Sequence, residues 1–313
     1  MVRSIALLAV FGSLAWTQNL PVREALSASI MGPMPGFYNG YLYQCQPDDM
    51  VTLFAPSGEG ILTVPIQGGG DSRVEVMSVA IDDDGTLAIS WVGLPKIGID
   101  IRDSSGNLIR SIDTGRYMPA QLSFGQDHSL WSFGWQRDAT RPEIADRQDY
   151  ATVRKYLASG KQVGAYLPRS LFPAGLEPGE AGWQQRRITV TSDRVGIHAY
   201  SGNLGSQKEW VELDLNGNLT GRWRLDQSDE FRGVALTSDG QAYVQRSDPK
   251  KKSRSVFRLN RATSEWEPVN SPDLELYGSD GDKLVFATWP DGLMHLSWFP
   301  QPDAARSTAN NSH

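Results

Sequence analysis

Few residues in this chain are suited to chemistry, and their spacing assembles no recognisable catalytic set. Histidine occurs only at His128, His198, His295 and His313, with no pair at the i, i+4 interval that lets two imidazoles share a zinc ion from one helix face. There is no Gly-x-Ser-x-Gly elbow, no Gly-rich phosphate loop leading into a helix, and no cysteine pair, Cys45 being the single thiol. No metal site is expected from the histidines, and His128 and His295 read as solvated or satisfied side chains. The acidic triplet Asp82-Asp83-Asp84 could offer oxygens to calcium, the one cofactor the sequence leaves room for. The same triplet also reads as a turn, because Asp bonds its own backbone two residues on, and comparable turns carry Asp127, Asp239 and Asp280. A second cluster, Glu177, Glu180, Trp183, Arg186 and Arg187, combines carboxylates, an aromatic platform and guanidinium forks. Of these, Glu180, Trp183, Arg186 and Arg187 are the candidate ligand-binding residues, able to hold a sugar or a peptide by stacking and bidentate bonds.

The elements that must position these groups repeat along the chain. An apolar strand, a turn rich in Asp and Gly, and a second apolar strand recur over Met77–Trp91, Ala120–Phe133, Gly233–Val244 and Leu274–Phe286, with a weaker copy over Ile188–Tyr200. A second kind of hairpin alternates with the first and turns at Ser57-Gly58, Ser105-Gly106-Asn107, Ser159-Gly160-Lys161, Asn216-Gly217-Asn218 and Thr263-Ser264. Equivalent turns recur at roughly 42 to 60 residues, the length of a four-stranded propeller blade. Ten Trp, ten Tyr and ten Phe beside 31 Gly suit many short strands, and no segment carries the three- and four-residue apolar spacing of an amphipathic helix. The fold class expected is all-β, a β-propeller of six four-stranded blades. One turn of the second kind, at Gly58, precedes the first clear copy of the first kind, so one blade is expected to be completed by both chain ends. Two tandem β-sandwiches are the alternative architecture.

On this patterning the chain resembles exported six-bladed propellers of the broad NHL-like and TolB-like kind. The resemblance spans roughly Gly40 to Pro300 and implies an architecture without a subfamily. No Trp-Asp pair closes each blade and no kelch double glycine recurs.

Met1-Val2-Arg3, the apolar run Ile5–Leu14 and the small residues after it read as a signal peptide over 1–17. A lead-in segment, 18–39, then precedes the propeller, 40–300, and the polar tail 301–313 reads as disordered. The chain is thus expected to be exported to the periplasm or beyond, with no transmembrane anchor once the leader is cleaved. A net charge of −6 gives no reason to expect nucleic acid as a partner. Two segments break the repeat, Gln136–Asp149 and Arg169–Arg187, and long insertions in a repeat fold build binding surfaces. The function expected is a non-enzymatic scaffold for a protein or glycan partner. The alternative is a calcium-dependent propeller hydrolase or lyase acting on a lactone or carbohydrate.

Overall fold

The computed structural model describes residues 36–38, 41–46, 50–55, 58–66, 74–93, 95–136, 149–172, 188–201, 207–225, 230–248, 253–290 and 294–302. The leader, most of the lead-in segment, most of both insertions with Glu180, Trp183, Arg186 and Arg187, and the tail from 303 lie outside the described residues.

Six antiparallel sheets are formed, each from one contiguous stretch of chain. The first blade is β1 (Gly36–Tyr38), β2 (Tyr41–Gln46), β3 (Met50–Phe54) and β4 (Gly60–Pro65). The second is β5 (Glu75–Ile81), β6 (Leu87–Gly93), β7 (Lys96–Arg102) and β8 (Leu108–Asp113), and the third β9 (Tyr117–Phe124), β10 (Leu130–Gln136), β11 (Ala151–Tyr156) and β12 (Gln162–Pro168). The fourth is β13 (Ile188–Val190), β14 (Arg194–Ser201), β15 (Gln207–Asp214) and β16 (Leu219–Leu225). The fifth is β17 (Glu230–Leu236), β18 (Ala242–Asp248), β19 (Ser253–Asn260) and β20 (Glu265–Val269). The sixth has three strands among the described residues, β21 (Glu275–Asp280), β22 (Lys283–Thr288) and β23 (His295–Pro300).

First strands face the axis, β1 beside β5 and β21, β5 beside β9, β9 beside β13, and β17 beside β21. This is a six-bladed propeller, and the two-sandwich alternative falls with it. The two hairpin types of the sequence are the inner and outer halves of each blade. Inner strands such as β6 and β9 are buried throughout and must be apolar on both faces, whereas the outer β8 exposes all but Ile112. The split closure is not seen, because the first blade has its own inner strands β1 and β2, and no strand from the N-terminal end pairs with β21–β23 among the described residues.

The core lies between blades. Trp131, Phe133 and Leu167 of the third blade pack on Ile188, Val195 and Ile197 of the fourth. Trp210 and Leu225 of the fourth meet Val234, Leu236 and Leu259 of the fifth, and Ala235 and Tyr243 of the fifth meet Leu276 and Phe286 of the sixth. Phe37 and Leu42 of the first blade pack on Val285, Leu296 and Trp298 of the sixth and close the ring by side-chain burial.

Two of the outer turns are built from one device. In Asp103-Ser-Ser-Gly-Asn107 the Asp103 carboxylate accepts the backbone N–H groups of Ser105 and Asn107, each at 2.9 Å, and the side-chain amide of Asn107 at 3.0 Å. Asp214 repeats these bonds with Asn216 and Asn218. The Asn107 and Asn218 amide bonds hold both carboxyls below the usual carboxylate range. Gly106, at φ 86°, and Gly217, at φ 87°, then lie against Leu62 and Val64, and against Tyr166, in the fourth strand of the preceding blade.

Candidate functional site at the axis

The inner hairpins of the second to sixth blades turn at the same end of the axis, so the Asp-rich turns of the sequence converge there. Together with Tyr38 they line a recess of about 340 Å³ to which all six blades contribute. Buried Tyr38, Phe124 and Leu236 supply its apolar depth. Toward solvent stand Asp83, Gln126 and Ser238, all exposed, with Thr189, Ser279 and Asp280 partly exposed. The lining includes Asp82, Asp83 and Asp280 and, among the described residues, no basic side chain.

The depth of the recess is tied together across the ring. Tyr38 of the first blade accepts the Phe124 N–H at 2.8 Å and shares a 3.3 Å hydrogen bond with Ser123, bypassing the second blade. The Ser123 hydroxyl also accepts the Val190 N–H of the fourth blade at 3.1 Å. On the opposite side Ser279 donates to the Leu236 carbonyl at 2.8 Å, and the Ser238 N–H reaches the Gly281 carbonyl at 2.8 Å. The polar lining is therefore held in place before any ligand arrives, which lowers the ordering cost of binding.

On one side of the rim, Asp82, Asp84 and His128 each bring a donor atom to within 4.8 Å of one another. Asp82 is buried and uses both oxygens, one accepting the Asp83 N–H at 2.9 Å and one the His128 Nδ1 at 2.8 Å. Asp84 accepts the Thr86 N–H at 2.8 Å, a bond that with others lowers its pKa. His128 lies in the β9–β10 turn, at φ 57°, and joins the third blade to the second. The residues fit a divalent cation in number and charge. An imidazole beside two carboxylates suits zinc or another transition ion better than calcium, which prefers oxygen ligands only.

The Asp82 hydrogen bond, reinforced by the charges of Asp82, Asp84 and Asp83, raises the His128 pKa above its ordinary 6.5. A raised folded value means the stabilisation is fully present below 6.5 and is lost as pH climbs through the folded pKa. The melting-midpoint advantage of the native chain over His128→Ala should therefore be full below pH 6.5 and shrink as pH rises above it through the folded pKa. The His128 ring resonances should titrate over the same interval in an NMR series. Equal pH profiles for the two chains would discount the bond.

Other candidates stand apart from the recess. Cys45 is half-buried on β2, and burial pushes its thiol up to about 12, which keeps it protonated and a poor nucleophile. His198 is buried within β14, and His295 begins β23. The convergence of the turns escaped the sequence reading, which treated Asp127, Asp239 and Asp280 as turn formers. The signal that could have found it is position: residues at equal places in successive inner hairpins form a ring.

No family model matches the chain, and no curated protein matches it. Solved structures do. An exported-type protein of Bacteroides fragilis aligns over 90% of this chain and 93% of its own, at 10% identity and a TM-score of 0.47. A luciferin-regenerating enzyme aligns over 87% and 94%, at 10% identity and a TM-score of 0.45. BamB of Moraxella catarrhalis aligns over 85% and 71%, at 12% identity and a TM-score of 0.44. Likeness at this level of identity concerns the fold alone. No helix among the described residues is long and apolar enough to cross a membrane.

Proposed function

We propose that this protein is an exported, non-enzymatic binding scaffold, periplasmic or extracellular, whose axial recess receives a positively charged group from a protein partner. The observation that carries this reading is the preorganised recess with Asp82, Asp83 and Asp280 in its lining and no basic side chain among the described residues. Carboxylates at the mouth of a concave, partly apolar site concentrate the field on an incoming ammonium or guanidinium group. The loop residues Glu180, Trp183, Arg186 and Arg187 are proposed as a second contact to the same partner. Closure of the sixth blade by both chain ends belongs to the same picture of a rigid, fully latched ring.

The test uses an oligo-lysine peptide as probe. Saturable binding at low salt, weakened as the Debye length shortens, is expected for the native chain. Asp83→Asn, which removes an exposed charge outside the buried network, should cut the affinity several-fold with an unchanged melting midpoint. No binding, or equal affinity in the two chains, would sink the reading. The alternative, a metal-dependent hydrolase or lyase for a lactone or carbohydrate, is supported by the grouping of Asp82, Asp84 and His128. A raised melting point with calcium or zinc chloride, lost in His128→Ala, would put that alternative in front.

A further inference from the structure

The axial recess has a direction, apolar at its depth and acidic at its mouth. We propose that its occupant is the N-terminal residue of a partner chain, with the free α-ammonium at the mouth and an apolar, preferably aromatic, side chain directed down the axis. The proposal rests on the cation-binding reading above and names the group that carries the charge.

The depth gives a cation nothing to pair with. Tyr38, Phe124 and Leu236 are buried there, and the hydroxyls beside them are engaged, Tyr38 with Ser123 and the Phe124 N–H, and Ser123 with the Val190 N–H. Asp82, the buried carboxylate of the lining, has one oxygen on the Asp83 N–H and the other on His128. A lysine or arginine side chain entering head first would carry its charge past the mouth and shed water with no carboxylate in return.

The carboxylates left for a ligand stand at the mouth. Asp83 is exposed, and Asp280 is partly exposed with one oxygen held by the Trp298 indole N–H at 2.8 Å. They belong to the second and sixth blades, the two neighbours of the first, so Tyr38 stands between them in the ring. Gln126 and Ser238, on the third and fifth blades, are exposed and bring an amide and a hydroxyl to the mouth for the first peptide group. An N-terminal residue matches this order, because its ammonium and its side chain leave one carbon in different directions. Size agrees as well: about 340 Å³ lies near the lower end of the roughly 300–1,000 Å³ of ligand pockets, room for one residue and not for a loop. An acidic lining also repels a carboxylate, which disfavours a C-terminus.

The experiment measures binding of the peptide amide Phe-Gly-Gly to the full chain at low salt by calorimetry. Saturable binding is expected. Acetylating the α-amine should weaken it about tenfold or more, the scale of a lost charge-assisted hydrogen bond, and Gly-Gly-Gly amide should bind about tenfold more weakly for want of a buried ring. Asp83→Asn should bind the free amine several-fold more weakly, whereas Glu59→Gln, an exposed charge on the outer turn of the first blade, should change nothing. Both variants should keep the native melting midpoint. Equal affinity for the free and acetylated peptides, or for the Phe and Gly peptides, would overturn the proposal. Phenethylamine has the same ring and ammonium without a peptide bond and should bind several-fold more weakly; equal affinity would assign the recess to a free amine and overturn the partner-chain reading. Oligo-lysine separates this inference from the one it rests on. If acetylated oligo-lysine binds as tightly as the free form while Phe-Gly-Gly amide does not bind, the recess reads charge alone and only this inference fails. Binding by neither peptide overturns both.

Discussion

Glu212→Ala should lower the melting midpoint more than any other single side-chain truncation discussed for this protein. Glu212 is 1% exposed on β15 and is the acceptor for three side chains. It takes the Trp210 indole N–H at 2.8 Å, Arg194 at 3.1 Å, and Arg261 at 2.8 and 2.6 Å. Arg261 belongs to the fifth blade, so the carboxylate joins two blades at a place where Trp210 already packs on Val234 and Leu236. Truncation leaves two guanidinium groups beside a buried, unsatisfied indole N–H. Breaking a buried ion pair from one side costs about 3–5 kcal/mol, a shift on the order of 10 °C in a domain of this size. Glu212→Gln keeps an acceptor for Trp210 and should lose less. Arg261→Ala should lose least, since Glu212 keeps Arg194 and the arginine is partly solvated. Calorimetry on the three variants checks the order, and a Glu212→Ala midpoint within two or three degrees of the native value, on the scale of roughly 2–4 °C per kcal/mol, would mean the network adds little.

Gly233→Ala should be comparably damaging for a backbone reason. Gly233 sits in β17 where its pairing with β18 shifts register between Phe231 and Val234. A Cβ there would run into the carbonyl oxygen of Leu276 in β21, the first strand of the neighbouring blade. Backbone cannot rotate away as a flexible side chain can, so β17 and β21 must separate at the axis. The separation would strain the Gln245 bonds to the Leu276 N–H, at 3.1 Å, and to the Leu274 carbonyl, at 2.6 Å. Overpacking of this kind costs about 1–3 kcal/mol, and the lost bonds add to it. Gly60→Ala is the control, because a Cβ there meets nothing within 4 Å. Equal unfolding midpoints for Gly233→Ala and Gly60→Ala would refute the argument.

Turn chemistry made the architecture readable from the chain. Asp or Gly recurs at most of the places where a blade reverses, and the positive φ of Gly58, Gly85, Gly106, Gly160, Gly217, Gly240 and Gly281 is the physical demand behind the pattern. The inner hairpin of the first blade was not readable, because β1 is only Gly36-Phe37-Tyr38 and three residues carry no alternation. That gap led to the expectation of a blade shared by both chain ends. The recess was hidden for another reason. Asp83 and Asp280 are nearly two hundred positions apart and become neighbours only because the blades close into a circle. Local spacing reports a turn, while the curvature of the ring decides which turns meet.

The bond from Tyr38 to Ser123 and Phe124 also sets an order of events in time. These partners are 85 and 86 residues apart, so β1 finds its seat only after the third blade has begun to form. At about 5–20 residues per second, a growing chain holds Tyr38 without its partners for roughly 4–17 seconds. Throughout that interval Phe37 also lacks Trp298, its edge-on neighbour from the last strand. β1 is thus made well before its partners and is fully seated only when the sixth blade closes on Phe37.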